Sequence, residues 1–176
     1  MALYLIRHPQ PLVEPSICYG RLDLPLAEPV ATTLAAICAQ LPAAFTCYSS
    51  PLQRCRLLAE ALHPQPIFDA RLLELDFGRW EGMCWNDIGP AALDQWIASD
   101  YTGECHGGEG VVDLQARIGA WAQEQVGAAQ AVVAVTHAGV IRTLLAQTNG
   151  WSVAESLQYP IAFGSVTLLD LQEFPR

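Results

Sequence analysis

The chain contains no lysine; all nine of its cations are arginine. That excludes the phosphate-binding loops, Schiff-base enzymes and pyridoxal enzymes whose chemistry needs a lysine amine. Positive charge is scarce altogether. Nine Arg face 18 Asp and Glu, and the formal net charge is −9. Nucleic-acid binding calls for a basic face, so no nucleic-acid partner is expected. Long apolar runs are missing too. Each is broken by Arg, Asp, Glu, Gln or Pro well before the roughly 20 residues that a membrane span needs. Residues 1–8 lack the charged region, apolar run and cleavage site of a signal peptide, so a cytoplasmic location without membrane association is expected. None of the six cysteines falls in a Cys-x-x-Cys pair. Free thiols, and no metal site, are the expectation. What the chain does have is length and apolarity: 176 residues, 52% of them hydrophobic and 15% charged. That suits a single globular domain over residues 1–176, large enough to bury a core without bridges or metal.

Apolar patterning places the elements. Ala2 to Arg7 reads as a short buried strand that stops at His8-Pro9-Gln10-Pro11. Pro9, Pro11, Pro15 and Pro25 make the following stretch an extended loop. Glu28 to Leu41 has helical spacing, and Phe45 to Tyr48 reads as a second strand. Ser50 is placed as an N-cap, with Pro51 in the first helical position and Gln53 completing a capping box. Leu73, Leu75 and Phe77 alternate with Glu74 and Asp76, a strand-like or extended piece with both carboxylates on one side. Pro90 to Ser99, Gly110 to Val126 and Val140 to Thr148 read as helices, and Ala131 to Thr136 and Ser165 to Leu171 as strands. Strands alternating with helices predict an α/β three-layer sandwich with a mostly parallel central sheet.

In such folds ligands bind beyond the carboxyl ends of the strands. Three strand ends here carry polar residues. The first ends in Arg7-His8, the second leads through Ser49-Ser50 to Arg54, and the late strand ends in Thr136-His137 before a helix. Two arginines, two histidines and a helix N-terminus near Ala138 and Gly139 suit a tetrahedral dianion. One imidazole can attack phosphorus while the guanidiniums carry the charge of the transferring oxygens. A carboxylic acid then has to protonate the leaving oxygen.

Five runs, in this order, resemble the histidine phosphatase superfamily in its phosphoglycerate-mutase-like branch. They are Leu5-Ile6-Arg7-His8, Ser49-Ser50-Pro51-Leu52-Gln53-Arg54, Leu73 to Gly82, Gly107-Gly108-Glu109 and Val135-Thr136-His137-Ala138-Gly139-Val140. The resemblance covers nearly the whole chain. It implies a phosphoglycerate-mutase-like fold and a phosphomonoesterase that needs no metal or cofactor and acts on a small phosphate ester. By the same resemblance His8 is the nucleophile, and Arg7 and Arg54 clamp the phosphate. His137 donates to the phosphoryl oxygens, and Ala138 offers its backbone. Glu74 falls at the proton donor, with Glu81 the competing carboxylate, read as fixing its loop. Arg21 faces the substrate beyond the phosphate, and Glu109 is structural. Chain size and the Tyr19-Gly20-Arg21 to Pro25-Leu26 segment are most similar to the α-ribazole phosphatases, which act on α-ribazole 5′-phosphate in cobalamin assembly.

The family's usual Arg-His-Gly is here Arg7-His8-Pro9. Proline has no N–H to offer a phosphate, but it retains a carbonyl that can orient an imidazole. A phosphate-binding or scaffolding protein without turnover is therefore the second reading, and a broad-specificity phosphatase a third. Among the remaining candidates, His63 and His106 are expected at the surface. Arg56 is expected to pair with Glu60, Arg142 to be structural, and Trp80, Trp85 and Trp96 to pack in the core.

Overall fold

The computed structural model describes residues 2–174. Two apolar hexapeptides, β1 (Ala2–Arg7) and β4 (Ala131–Thr136), lie side by side and parallel in the middle of the sheet. β2 (Phe45–Ser49) pairs with the other edge of β4, and β3 (Ile67–Phe68) extends the sheet beyond β2. β5 (Val166–Asp170) closes the opposite side against β1 and is the one antiparallel strand among the described residues. The order is β3-β2-β4-β1-β5.

Strand side chains alternate between faces, and the core divides accordingly. Leu3 and Leu5 of β1 and Val132 and Ala134 of β4 face one layer. There they meet Leu114, Ile118 and Trp121 of α5 (Val111–Gln125) and Ile141 and Leu144 of α6 (Ala138–Asn149). Ile6, Cys47, Val133 and Val135 face the other layer, against Ile37 of α1 (Ala31–Cys38) and Cys55 and Leu58 of α2 (Gln53–Leu62). This is the α/β three-layer sandwich with a mostly parallel sheet that the sequence predicts. Three further helices lie within the strand connections, α3 (Trp85–Ile88) and α4 (Pro90–Ala98) between β3 and β4 and α7 (Val153–Gln158) between β4 and β5. All six cysteines are unbridged. Among the described residues no helix is long and apolar enough to cross a membrane.

One local expectation is narrowed and one is corrected. Leu73 to Phe77 is extended but pairs with no strand. Ser50 does not cap α2, which begins two residues later than the sequence suggests. Its first N–H, on Gln53, donates to Asp23 Oδ1 at 2.7 Å, while Gln53 Nε2 reaches the Asp23 carbonyl at 2.9 Å. A residue of the proline-rich loop thus satisfies that N–H, while the Ser50 hydroxyl accepts from the Leu52 N–H at 3.4 Å and lies 2.8 Å from His137 Nε2.

Candidate active site

The register of the parallel strands sets the site. Arg7 of β1 stands beside Thr136 of β4, and Ser49 of β2 beside Val135. The next residues continue the ladder: the His8 N–H donates to the Thr136 carbonyl at 3.0 Å and the Ser50 N–H to the Val135 carbonyl at 3.0 Å. His8, Ser50 and His137 are therefore fixed by main chain at one sheet edge, and the two imidazole centroids lie 5.1 Å apart.

His8 is almost fully buried. Its Nδ1 lies 2.7 Å from the Pro9 carbonyl, which can only accept, so Nδ1 carries the proton and Nε2 the lone pair. Arg54 Nε–H donates to that Nε2 at 3.3 Å. Proline at position 9 thus preserves the contact that orients the ring. Burial first, then the Arg54 cation, holds the His8 imidazole down to about 3, against a usual 6.5; the bond to Pro9 opposes this and Arg7 adds to it. The ring is neutral at physiological pH and can act as a nucleophile.

Arg54 comes from the first turn of α2 and is wholly buried. Its Nη1 donates to the Leu22 carbonyl and its Nη2 to the Gly20 carbonyl, both at 2.6 Å. Its Nη2 also lies 3.2 Å from His137 Nδ1. A guanidinium has only donors, so Nδ1 accepts and His137 Nε2–H donates to Ser50. Burial first, then the Arg54 charge, holds His137 well below its ordinary range. Arg7 is partly buried, with Nη1 on the Ile161 carbonyl at 2.5 Å and the Tyr19 hydroxyl close by. Its buried Nε has no partner among the described residues, which leaves a donor for an incoming anion.

Glu74 reaches the same edge from the extended segment. One carboxylate oxygen accepts from the Gly139 N–H at the start of α6, the other from its neighbour Leu75, each at 3.0 Å. A carboxylate there complements the helix dipole. The approach needs glycine, because a Cβ on Gly139 would stand 2.3 Å from Glu74 Oε1. Glu81 is differently employed. Its two oxygens accept from the backbone of Arg21, Leu22 and Phe77 at 2.8, 2.7 and 3.2 Å. It ties two loops together.

Arg21, expected to face the substrate, turns instead to Glu109 at 3.3 Å and Asp76 at 3.7 Å and is not among the residues that line the cavity. Glu109 also binds Arg117 at 2.6 Å, so this network braces the loops behind Glu74. Arg56 pairs with Glu60 at 3.1 Å. His106, expected at the surface, is buried with its ring 4.9 Å from that of Trp80.

A cavity of about 260 Å³ opens from this edge. Arg7, His8, Glu74, Ala138 and Gly139 form its polar end. Its far wall is apolar, with Leu75, Phe77, Trp85, Trp96, Val111 and Leu114. Trp80 and Trp96 are both buried in the core; Trp96 also lines the cavity, as does the partly buried Trp85. Sequence reasoning missed Tyr19 and assigned Arg142 to structure, yet both line this space. The signal for Arg142 was its spacing: four residues after Ala138, it shares that residue's face of α6. Its Nε is held by the Tyr159 carbonyl at 2.9 Å.

The family profile of the histidine phosphatase superfamily (branch 1) matches residues 3–174. The chain belongs to this superfamily. Among relatives of this chain, phosphoserine phosphatase 1 of Hydrogenobacter thermophilus is 26% identical over 135 residues, 72% of this chain. The match spans 64% of that relative's own length. Two solved structures share the fold. A mycobacterial glucosyl-3-phosphoglycerate phosphatase superposes with a TM-score of 0.79 at 26% identity, covering 95% of this chain and 88% of that one. A phosphoglycerate mutase from Thermus thermophilus superposes with a TM-score of 0.76 at 28% identity, covering 97% and 93%.

Proposed function

We propose that the protein is a metal-independent phosphomonoesterase that works through a phosphohistidine on His8. The observation that carries this reading is the His8 tautomer. A proton held on Nδ1 by the Pro9 carbonyl leaves the Nε2 lone pair between Arg54 and His137. In the first step Nε2 bonds to phosphorus and the ester oxygen leaves, taking a proton from Glu74. In the second step water attacks phosphorus, gives its proton to the Glu74 carboxylate, and the N–P bond breaks to return neutral His8 and inorganic phosphate. Arg7, through its unpartnered Nε–H, and the Ala138 N–H hold the non-bridging oxygens first; Arg54 and His137, whose donors are engaged with Leu22, Gly20, His8 and Ser50, join them by exchanging those bonds as phosphate enters, in a site whose burial strengthens each contact. Glu74 is preferred to Glu81 because it lines the cavity, whereas Glu81 is spent on three backbone N–H groups.

The substrate is a small phosphate ester, and α-ribazole 5′-phosphate is the ester we propose. Two features support it. The Tyr19-Gly20-Arg21 to Pro25-Leu26 segment resembles that of the α-ribazole phosphatases, and the Phe77, Trp85 and Trp96 rings at the far wall suit a flat aromatic base. A cytoplasmic place in cobalamin assembly accompanies this proposal. The test is phosphate release in EDTA from α-ribazole 5′-phosphate, phosphoserine, 3-phosphoglycerate and an aryl phosphate, beside His8→Ala. Fast release from the ribazole ester alone, lost in His8→Ala, is the expected result. Equal slow release from all four discards the cobalamin role and leaves a broad-specificity phosphatase. Release that survives His8→Ala overturns the mechanism.

A further inference from the structure

One aromatic ring at the site belongs to neither hydrophobic core. Phe163 is 37% exposed, yet it lies over two residues of the sheet edge. The Arg7 guanidinium carbon stands 3.7 Å from its ring centroid, and the His8 ring centroid is 5.6 Å from it. Local backbone geometry fixes this placement. Ala162 to Ser165 is a tight turn closed by the Ser165 N–H on the Ala162 carbonyl at 3.2 Å, with Gly164 at φ +69° in the third position, where a side chain would be strained. The turn is strapped to the same two residues that its ring covers. The Gly164 N–H donates to the carbonyls of Arg7 and His8 at 3.0 and 3.3 Å, and the Arg7 N–H to the Ser165 carbonyl at 3.1 Å. The preceding Ile161 carbonyl takes Arg7 Nη1.

We propose that Phe163 is a positioning residue: its face fixes the Arg7 guanidinium for phosphate, and its bulk closes the solvent side of the His8 imidazole. The inference rests on the reading of His8 as nucleophile and Arg7 as clamp. A guanidinium on an aromatic face keeps its edge donors free for an anion. The buried Arg7 Nε without a partner is such a donor. Covering His8 keeps it out of water beside Arg54 of α2 and Arg7 of β1, and burial and both cations disfavour its protonation.

Three variants separate the two roles: Phe163→Ala removes both, Phe163→Leu keeps the cover without the aromatic face, and Phe163→Tyr keeps both. Binding of inorganic phosphate is measured by calorimetry, and the His8 imidazole is followed by NMR titration. In Phe163→Ala the phosphate Kd is expected to rise about five-fold, and His8 to titrate at higher pH. Phe163→Leu is expected to show the weaker phosphate binding with His8 unmoved, and Phe163→Tyr to restore both. Wild-type phosphate affinity and an unmoved His8 in Phe163→Ala and Phe163→Leu overturn the proposal. Neither readout needs turnover. A wild-type protein that binds phosphate but releases none from esters therefore overturns the phosphatase reading and leaves Phe163 to be judged by these measurements.

Discussion

The sheet edge and the far wall of the cavity are built by different means. At the edge, His8, Ser50 and His137 follow strands whose register is set by main-chain hydrogen bonds, and Arg54 sits one short turn into α2 with its guanidinium wholly buried. At the far wall, Phe77, Trp85 and Trp96 come from an extended segment, a one-turn helix and α4. The edge is rigid because moving any member breaks the ladder. The wall is a set of side chains that loop changes can replace without touching the sheet. Relatives with a shared fold and different named substrates, phosphoserine in one and glucosyl-3-phosphoglycerate in another, fit that division. On the proposed reading, phosphate chemistry belongs to the edge and the choice of alcohol to the wall.

Glu74 stands at the junction, and its removal should have the largest effect after loss of the nucleophile. Glu74→Gln should lower kcat by about 10²–10⁴-fold on an ester with a poor leaving group, and far less on an activated aryl phosphate. Glu81→Gln should instead lower thermal stability and leave the leaving-group dependence alone. A reversed pattern in the two kinetic series would move the acid to Glu81. Gly139→Ala sharpens the same point from the helix side. Alanine normally stabilises a helix relative to glycine, but here its Cβ would meet Glu74 Oε1 at 2.3 Å and displace the carboxylate. A fall in kcat of about 10²-fold with no loss of melting temperature is expected, and unchanged kcat would show that Glu74 need not dock on α6.

The wall should respond in KM. Trp85→Ala should raise KM for an ester with an aromatic alcohol by up to about 10-fold, while KM for a small aliphatic ester stays put. Equal changes for both esters would erase the distinction between edge and wall. The smallest effect is on stability and comes from the edge. His8 is held near 3 and His137 well below its usual 6.5, so the unfolded chain takes up protons there that the folded chain refuses. Unfolding free energy should therefore fall as pH drops below 6.5, by about 1.4 kcal/mol per pH unit for each histidine. Urea melts between pH 7.5 and 5.5 should show a slope approaching two protons, reduced by about one in His8→Ala. A flat wild-type profile would mean that the imidazoles are not buried as neutral rings.

Most of the edge was legible in the sequence and most of the wall was not, for the same physical reason. β1 and β4 are continuous apolar runs that end on polar residues, and they form over the expected residues. Their ends name His8 and His137 directly. β3 gives no such signal, because Ile67 and Phe68 are two exposed residues at the sheet margin. Alternation in Leu73 to Phe77 does report which side chains turn inward, but it says nothing about whether a partner strand exists, and none does among the described residues. Ser50 had every local mark of an N-cap, yet Asp23 takes the first N–H of α2 from 30 residues away, and the Ser50 hydroxyl is shared between Leu52 and a buried imidazole 87 residues away. Arg21 was assigned to substrate by the family resemblance, while two acidic neighbours from distant loops hold it. Long-range pairings of this kind leave no periodic trace in a sequence.

The most direct test of phosphoryl transfer at the sheet edge is a rapid-quench experiment with an ester labelled in its phosphate. The wild-type protein should carry acid-labile, base-stable label within the first turnover, located by mass spectrometry on His8 and absent from His8→Ala. Steady turnover with no protein-bound label, or label that persists in His8→Ala, would contradict a phosphohistidine at that position.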